Sequence, residues 1–157
     1  MDGTPPGRFL DVLLMSYSAA VITVSDGVDA GTRADKSGPS ATSILREAGF
    51  EIAVESVVRD EAAEISAMLR ECVDKGINLV VTTGGTGFAE RDVTPEATKQ
   101  VIEKEAPGLP ELMRAAGARQ TPLAVLSRGI AGSAWRTLIV NLPGSPKGVK
   151  ESLDAVM

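Results

Sequence analysis

The chain has 157 residues, the length of one ordinary domain, which leaves no room for two sizeable ones. Apolar residues make up 43%, charged residues 24% and aromatic residues 3%, with a formal net charge of −5, so wholesale disorder, a basic nucleic-acid footprint and a base-stacking platform are all excluded. Histidine is absent, which excludes a zinc–histidine site, a Ser-His-Asp or Cys-His nucleophile and a histidine base, and the single cysteine, Cys72, excludes an internal disulfide and a CxxC redox centre.

Residues 1–14 contain Gly3, Pro5, Pro6 and Gly7 and read as a loose arm ahead of one domain over 15–157, with Met15 as an alternative start. The apolar run 9–15 is broken by Asp11, is too short to span a membrane and precedes no clean cleavage site. The protein therefore reads as cytoplasmic, with neither membrane nor nucleic acid as a partner. The segment 19–25 (AAVITVS) predicts a buried strand, and 26–39 a loop. Ser37-Gly38-Pro39-Ser40 opens a helical pattern closed at Gly49, and 50–58 predicts a second strand. Asp60 stands where the next helix begins, with Ile65, Met68, Leu69 and Cys72 at helical spacing before Gly76. The run 77–83 (INLVVTT) is apolar on both faces, as in a parallel sheet covered by helices. Helices are predicted from Thr94-Pro95 and around Pro110 to Gly117, and strands over 123–126 and 137–142. The connection between those two strands is too short for a helical crossover, so they are expected to pair antiparallel. A last helix follows Pro143 and is still running at Met157. The order β-α-β-α-β-α-α-β-β-α describes an α/β protein, a three-layer α/β/α sandwich with a mainly parallel sheet and one antiparallel strand.

In such sheets ligands sit beyond the carboxyl ends of the strands, and four polar loops leave strand ends here: Ser25-Asp26, Arg59-Asp60, 84–92 and 143–148. In 82–98 (TTGGTGFAERDVTPEAT) the glycines let backbone N–H groups approach an anion, and Thr82, Thr83 and Thr86 add hydroxyls. Thr94 is placed to cap a helix with Pro95 at its first position, and Asp92 to hold a divalent cation on a phosphate. A bare glycine turn with a capped helix is the alternative; Arg91 and Asp92 weigh against it. It is not a P-loop, since GxxxxGK[ST] is absent. In 141–148 (NLPGSPKG), Pro143-Gly144 make a turn, Ser145 a cap and Pro146 a first helical position, with Lys147 and Lys150 adding positive charge. By position alone Asp60 reads as a helix cap. Ser25, Asp26 and the Asp35-Lys36-Ser37-Gly38 segment read as loop polars unless the loop folds over a ligand, and Arg33 and Lys36 as solvated cations unless they meet a phosphate. Cys72 reads as a buried small hydrophobe and Trp135 as a packing or subunit-contact residue.

Five motifs carry a resemblance: VSD at 24–26, DKSGP at 35–39, TTGGTGFAERDVTPEAT at 82–98, LSRG at 126–129 and NLPGSPKG at 141–148. Over residues 19–157 the chain resembles the molybdopterin-binding domain family of molybdenum cofactor biosynthesis, which includes the bacterial Mog and MoaB proteins and the G domain of gephyrin. It is most similar to the Mog branch, the molybdopterin adenylyltransferases. The resemblance implies a three-layer fold, a homotrimer, and the reaction of molybdopterin with Mg-ATP to give adenylylated molybdopterin and pyrophosphate. The product would pass to a separate molybdenum-insertion protein. The resemblance also implies Asp60 and Asp92 as the catalytic aspartates that hold Mg²⁺, directly or through water. It implies substrate or nucleotide contacts from Ser25, Asp26, Ser37, Gly38, Thr83, Gly84, Gly85, Thr86, Gly87, Arg91, Thr94, Glu96, Pro143, Gly144, Ser145, Pro146 and Lys147.

The chemistry fits the residues. A pterin's terminal phosphate is already ionised at neutral pH, so its attack on the α-phosphorus needs no strong base, and the lack of histidine is no obstacle. What it needs is charge neutralisation and in-line positioning. Three other classes remain: a pterin carrier that does not adenylylate, a trimeric scaffold module, and an unrelated nucleotide-binding α/β protein.

Overall fold

Small and β-branched residues, SAAVITV, form β1 (Ser18–Val24), buried from Ala19 onward. A strand buried on both faces shows no polar alternation, because helices cover the sheet on each side. The computed structural model describes residues 16–157; the arm read at 1–14 lies outside them. In chain order the other elements are α1 (Asp26–Asp29), α2 (Ser37–Glu47), β2 (Glu51–Val58), α3 (Ala62–Asp74), β3 (Leu79–Thr83), α4 (Thr94–Lys99), β4 (Lys104–Glu105), α5 (Gly108–Ala118), a 3₁₀ turn (Pro122–Leu126), β5 (Ala131–Ala134), β6 (Thr137–Leu142) and α6 (Pro146–Val156). The sheet runs β2-β1-β3-β6-β5-β4. β2, β1, β3 and β6 are parallel, and β5 runs against both β6 and β4.

Alternate residues of β1 feed two cores. Ala20, Ile22 and Val24 pack with Ile65, Leu69 and Cys72 of α3 and Ala97 of α4 on one face. Ala19 and Val21 pack with Ala41 and Leu45 of α2, Met113 of α5, and Val149 and Leu153 of α6 on the other. That is the expected three-layer sandwich. Between β3, β6 and α4 one polar residue is built into the core. Asn141 is 2% exposed. Its amide donates to the Thr82 and Thr98 hydroxyls at 3.0 and 2.9 Å, and its carbonyl accepts the Ile130 N–H at 3.1 Å. Thr82, expected to offer a hydroxyl to an anion, is spent here instead.

Several local expectations are corrected. The strand expected at 123–126 is a 3₁₀ turn; the antiparallel partner of β6 is Ala131–Ala134. The apolar side chains that suggested a strand, Leu123, Val125 and Leu126, are exposed and serve no core of this chain. β5 reads weakly as a strand because its residues are small, and they must be. A Cβ on Gly132 would stand 2.5 Å from the Lys104 carbonyl oxygen of β4. The loop expected over 26–39 contains α1 and the start of α2. Asp60 is not a cap: Glu61 precedes α3 and makes no capping bond. Thr94 is not a cap either. It is the first residue of α4, and its hydroxyl donates to the Gly84 carbonyl at 2.9 Å. Ser145 does cap α6, accepting the Gly148 N–H at 3.0 Å. Cys72 is buried, and burial pushes its thiol up to about 11. Trp135 occupies the β5–β6 turn at φ 50° and is 66% exposed, so it packs into no core of this chain.

Candidate active site

β2 and β3 flank β1, so the chain turns back on itself there, and the loops that leave β1 and β3 part. This is where open α/β sheets bind ligands. A polar cleft of about 580 Å³ lies at that point. Its walls come from the ends of β1 (Ser25), β2 (Asp60), β3 (Thr83, Gly84, Gly85, Asp92) and β6 (Gly144, Ser145, Pro146), with Asp35, Lys36 and Ser37 closing one side.

The glycine loop is shaped by contact. Gly84 (φ +94°) would place a Cβ 2.5 Å from the Val24 carbonyl oxygen, and a Cβ on Gly85 (φ +68°) would strike the Thr94 hydroxyl. Both positions need the left-handed region and no side chain. Two carboxylates adjoin the loop: a Cβ on Gly87 would stand only 2.8 Å from Asp92 Oδ2, and one on Gly85 would be in ordinary contact, 3.5 Å, with Asp60 Oδ1. The N–H groups of Gly85, Thr86 and Gly87 have no acceptor among the described residues, which suits an anion.

Asp60 is oriented by a reciprocal pair. Its Oδ2 accepts the Asp26 N–H at 2.8 Å, and its own N–H donates to Asp26 Oδ1 at 3.0 Å. Arg91 grips Asp26 with two nitrogens, at 2.9 and 3.0 Å, and reaches Glu61 at 3.0 Å. The loops after β1, β2 and β3 are thereby tied together. Burial raises the Asp60 pKa, and the nearby Asp26 and Asp92 charges add to that; the Asp26 N–H and Arg91 pull the other way. Arg91 in turn holds Asp26 below its ordinary value.

Asp92 Oδ2 accepts the Ala89 N–H at 2.9 Å. Its loop is held from outside by Arg128, whose guanidinium donates to the Gly87 and Asp92 carbonyls, each at 2.8 Å, and pairs with Glu96. The Arg128 N–H donates to the Thr86 carbonyl at 2.9 Å. Arg128 is not among the candidates read from the sequence. Its motif, LSRG, is visible there, but the strand expected at 123–126 hides what the arginine reaches.

Of the residues the resemblance singled out, Ser25, Ser37, Thr83, Gly84, Gly85, Gly144, Ser145 and Pro146 line the cleft with Asp60 and Asp92. Gly38 is buried beneath Asp35, Thr94 sits under the glycine loop, Asp26 and Arg91 face each other, and Glu96 faces Arg128. Pro143 and Lys147 line a second, more apolar cavity of about 290 Å³, with Met113, Leu123, Ala124 and Glu151. The two cavities share Ser145.

The fold and site define an α/β protein with a polar cleft at the switch point of its sheet, two carboxylates beside the glycine loop and an adjoining apolar cavity. A family model described as "Probable molybdopterin binding domain" matches residues 20–157. A molybdopterin adenylyltransferase of Helicobacter pylori (strain J99) is 42% identical over 146 residues, 91% of this chain and 83% of that protein. The molybdenum cofactor synthesis protein cinnamon of Drosophila melanogaster is 43% identical over 144 residues; the match takes in 90% of this chain but only 24% of that protein. The crystal structure of the molybdopterin biosynthesis enzyme MoaB of Thermus thermophilus superposes with a TM-score of 0.85 at 49% identity, covering 89% of each chain. The chain belongs to the molybdopterin-binding domain family of molybdenum cofactor biosynthesis.

Proposed function

We propose that this protein adenylylates molybdopterin, using Mg-ATP and releasing pyrophosphate. The observation that carries the reading is the pairing of two cavities at Ser145: a polar cleft suited to phosphates beside an apolar cavity suited to a flat ring. Molybdopterin is a ring joined to a phosphate, and it spans such a pair. The relatives named molybdopterin adenylyltransferase, matched along most of their length, support the same activity.

In this reading the free amides of Gly85, Thr86 and Gly87 bind phosphate oxygens and stabilise the charge that builds on them in the transition state. Asp60 and Asp92 would hold the Mg²⁺ that accompanies the nucleotide. The donor set fits that role. No group of three or more metal-ligating side chains exists among the described residues, so there is no dedicated cage. Magnesium is commonly held by one or two carboxylates plus substrate phosphates and water, and supplies charge neutralisation there. Asp60 Oδ1 and Asp92 Oδ1 accept no hydrogen bond within the described residues, which leaves an oxygen of each for that purpose.

A homotrimer in the cytoplasm, handing the adenylylated pterin to a separate molybdenum-insertion protein, completes the reading. Self-association is supported by the large apolar side chains left exposed at Phe88, Leu123, Val125, Leu126 and Trp135. The deciding experiment is turnover of molybdopterin, ATP and Mg²⁺, with Asp92→Asn alongside. Adenylylated product from the wild type, with turnover but not pterin binding lost in the variant, is expected. Pterin binding without product would replace the enzyme by a carrier.

A further inference from the structure

One wall of the cleft comes from the segment between α1 and α2 and carries two cations. Arg33 and Lys36 line it, and neither forms an ion pair among the described residues. Asp35, between them in sequence, lines the same wall, and both its oxygens accept hydrogen bonds within the fold. Its Oδ2 accepts the Thr23 hydroxyl at 2.7 Å and its Oδ1 the Gly38 N–H at 3.0 Å. Ser37 and Thr83, 7% and 1% exposed, line the same cleft, and their hydroxyls are 2.9 Å apart. Two hydroxyls carry two protons, and their mutual hydrogen bond uses one. The other has no acceptor among the described residues, and a buried donor without a partner is costly unless a ligand satisfies it. Of the three carboxylates that line the cleft, Asp60 and Asp92 belong to the loops after β2 and β3, and Asp35, on this wall, accepts the two hydrogen bonds just named.

We propose that Arg33, Lys36 and the Ser37–Thr83 hydroxyl pair form the subsite for the β- and γ-phosphates of the nucleotide, and so for the leaving pyrophosphate. The proposal rests on the adenylyltransferase reading and deepens it. In the reaction a pterin phosphate oxygen bonds to the α-phosphorus, the bond from the α-phosphorus to the bridging oxygen breaks, and the electron pair leaves on that oxygen. No proton transfer is required. The charge released appears on pyrophosphate, where two cations and a hydroxyl donor stabilise it more than they stabilise the intact triphosphate. The wall thus serves the leaving group, and the glycine loop the phosphorus under attack.

The test separates this wall from the rest of the site. Inorganic pyrophosphate and AMP are titrated calorimetrically, in excess Mg²⁺, into the wild type, Arg33→Met and Lys36→Met. Arg119→Met serves as a control for an exposed cation outside the cleft, and melting temperatures verify folding. Each cleft variant is expected to lose about tenfold in pyrophosphate affinity, the worth of one charge-assisted hydrogen bond, while AMP affinity stays within about twofold. Unchanged pyrophosphate binding in both variants overturns the proposal, as does an equal loss in Arg119→Met or an equal loss for AMP. A wild type that turns over while its variants bind pyrophosphate normally refutes the wall alone. A wild type that neither turns over nor binds AMP refutes the underlying reading too.

Discussion

Replacing Arg128 by Met should loosen the loop that carries Asp92 without touching a substrate. The side chain is 29% exposed and makes two hydrogen bonds of 2.8 Å, to the Gly87 and Asp92 carbonyls, at the two ends of the segment that presents Asp92. A charged donor to a carbonyl contributes about 1.5 kcal/mol at the lower end of its range, which suits partial exposure. The ion pair with Glu96 adds less than about 1 kcal/mol, since Glu96 is half exposed. Stacking over Phe88 at 5.5 Å adds about 0.5 kcal/mol. Water replaces part of this, leaving a loss of about 3 kcal/mol, or roughly 8 °C in melting temperature for a chain of this size. Misplacement of Asp92 should also lower kcat about tenfold, the equivalent of ~1.4 kcal/mol in the barrier. Arg128→Lys keeps the charge but not the planar fork and should fall between the two. The measurements are thermal unfolding and adenylylation kinetics. A shift below about 2 °C together with an unchanged kcat would refute the reasoning.

Gly84→Ala must put a Cβ 2.5 Å from the Val24 carbonyl at φ +94°, so it should cost about 3 kcal/mol and abolish ligand binding, read by thermal unfolding and AMP titration. Asn141→Leu strands the Ile130 N–H and two buried threonine hydroxyls, and should cost about 2–4 kcal/mol by denaturant unfolding. Partial burial raises Asp60 above its ordinary 3.8, so the acid limb of kcat/KM should lie above that value. Asp92→Asn removes a like charge and should move the residual limb down, whereas Arg91→Met should move it up; equal shifts in one direction would contradict the assignment. The sign for stability follows from the same shift. A raised folded-state pKa means that ionised Asp60 opposes folding, and stability falls as pH climbs from 3.8 through the raised value. Asp60→Asn should therefore melt at pH 7 no lower than the wild type while losing activity.

Much of this protein is legible without coordinates because its signals are local. The runs AAVITVS, INLVVTT and TLIVNL are short, apolar and rich in β-branched residues, as buried strands are, and the glycines at 49 and 76 end helices at the expected places. The four strand-end loops named from sequence do meet in one cleft, since a parallel sheet puts all its carboxyl ends on one side. Where expectation failed, the deciding contact was distant along the chain. PLAVL became an exposed turn, and AGSA, poor in strand signal, became a strand because the two-residue turn at Trp135-Arg136 brings it beside β6. Asp60 and Thr94 stand at helix starts and look like caps, yet one accepts the N–H of Asp26, 34 residues away, and the other donates to Gly84. The sequence by itself determined the layers, the sheet's direction and the residue types available at its carboxyl edge, because hydrophobic periodicity and turn chemistry act over a few residues. Only the tertiary structure decided which polar groups are spent on one another and which remain free for a ligand, because a hydrogen bond across the fold depends on ångström-scale placement that no local pattern encodes.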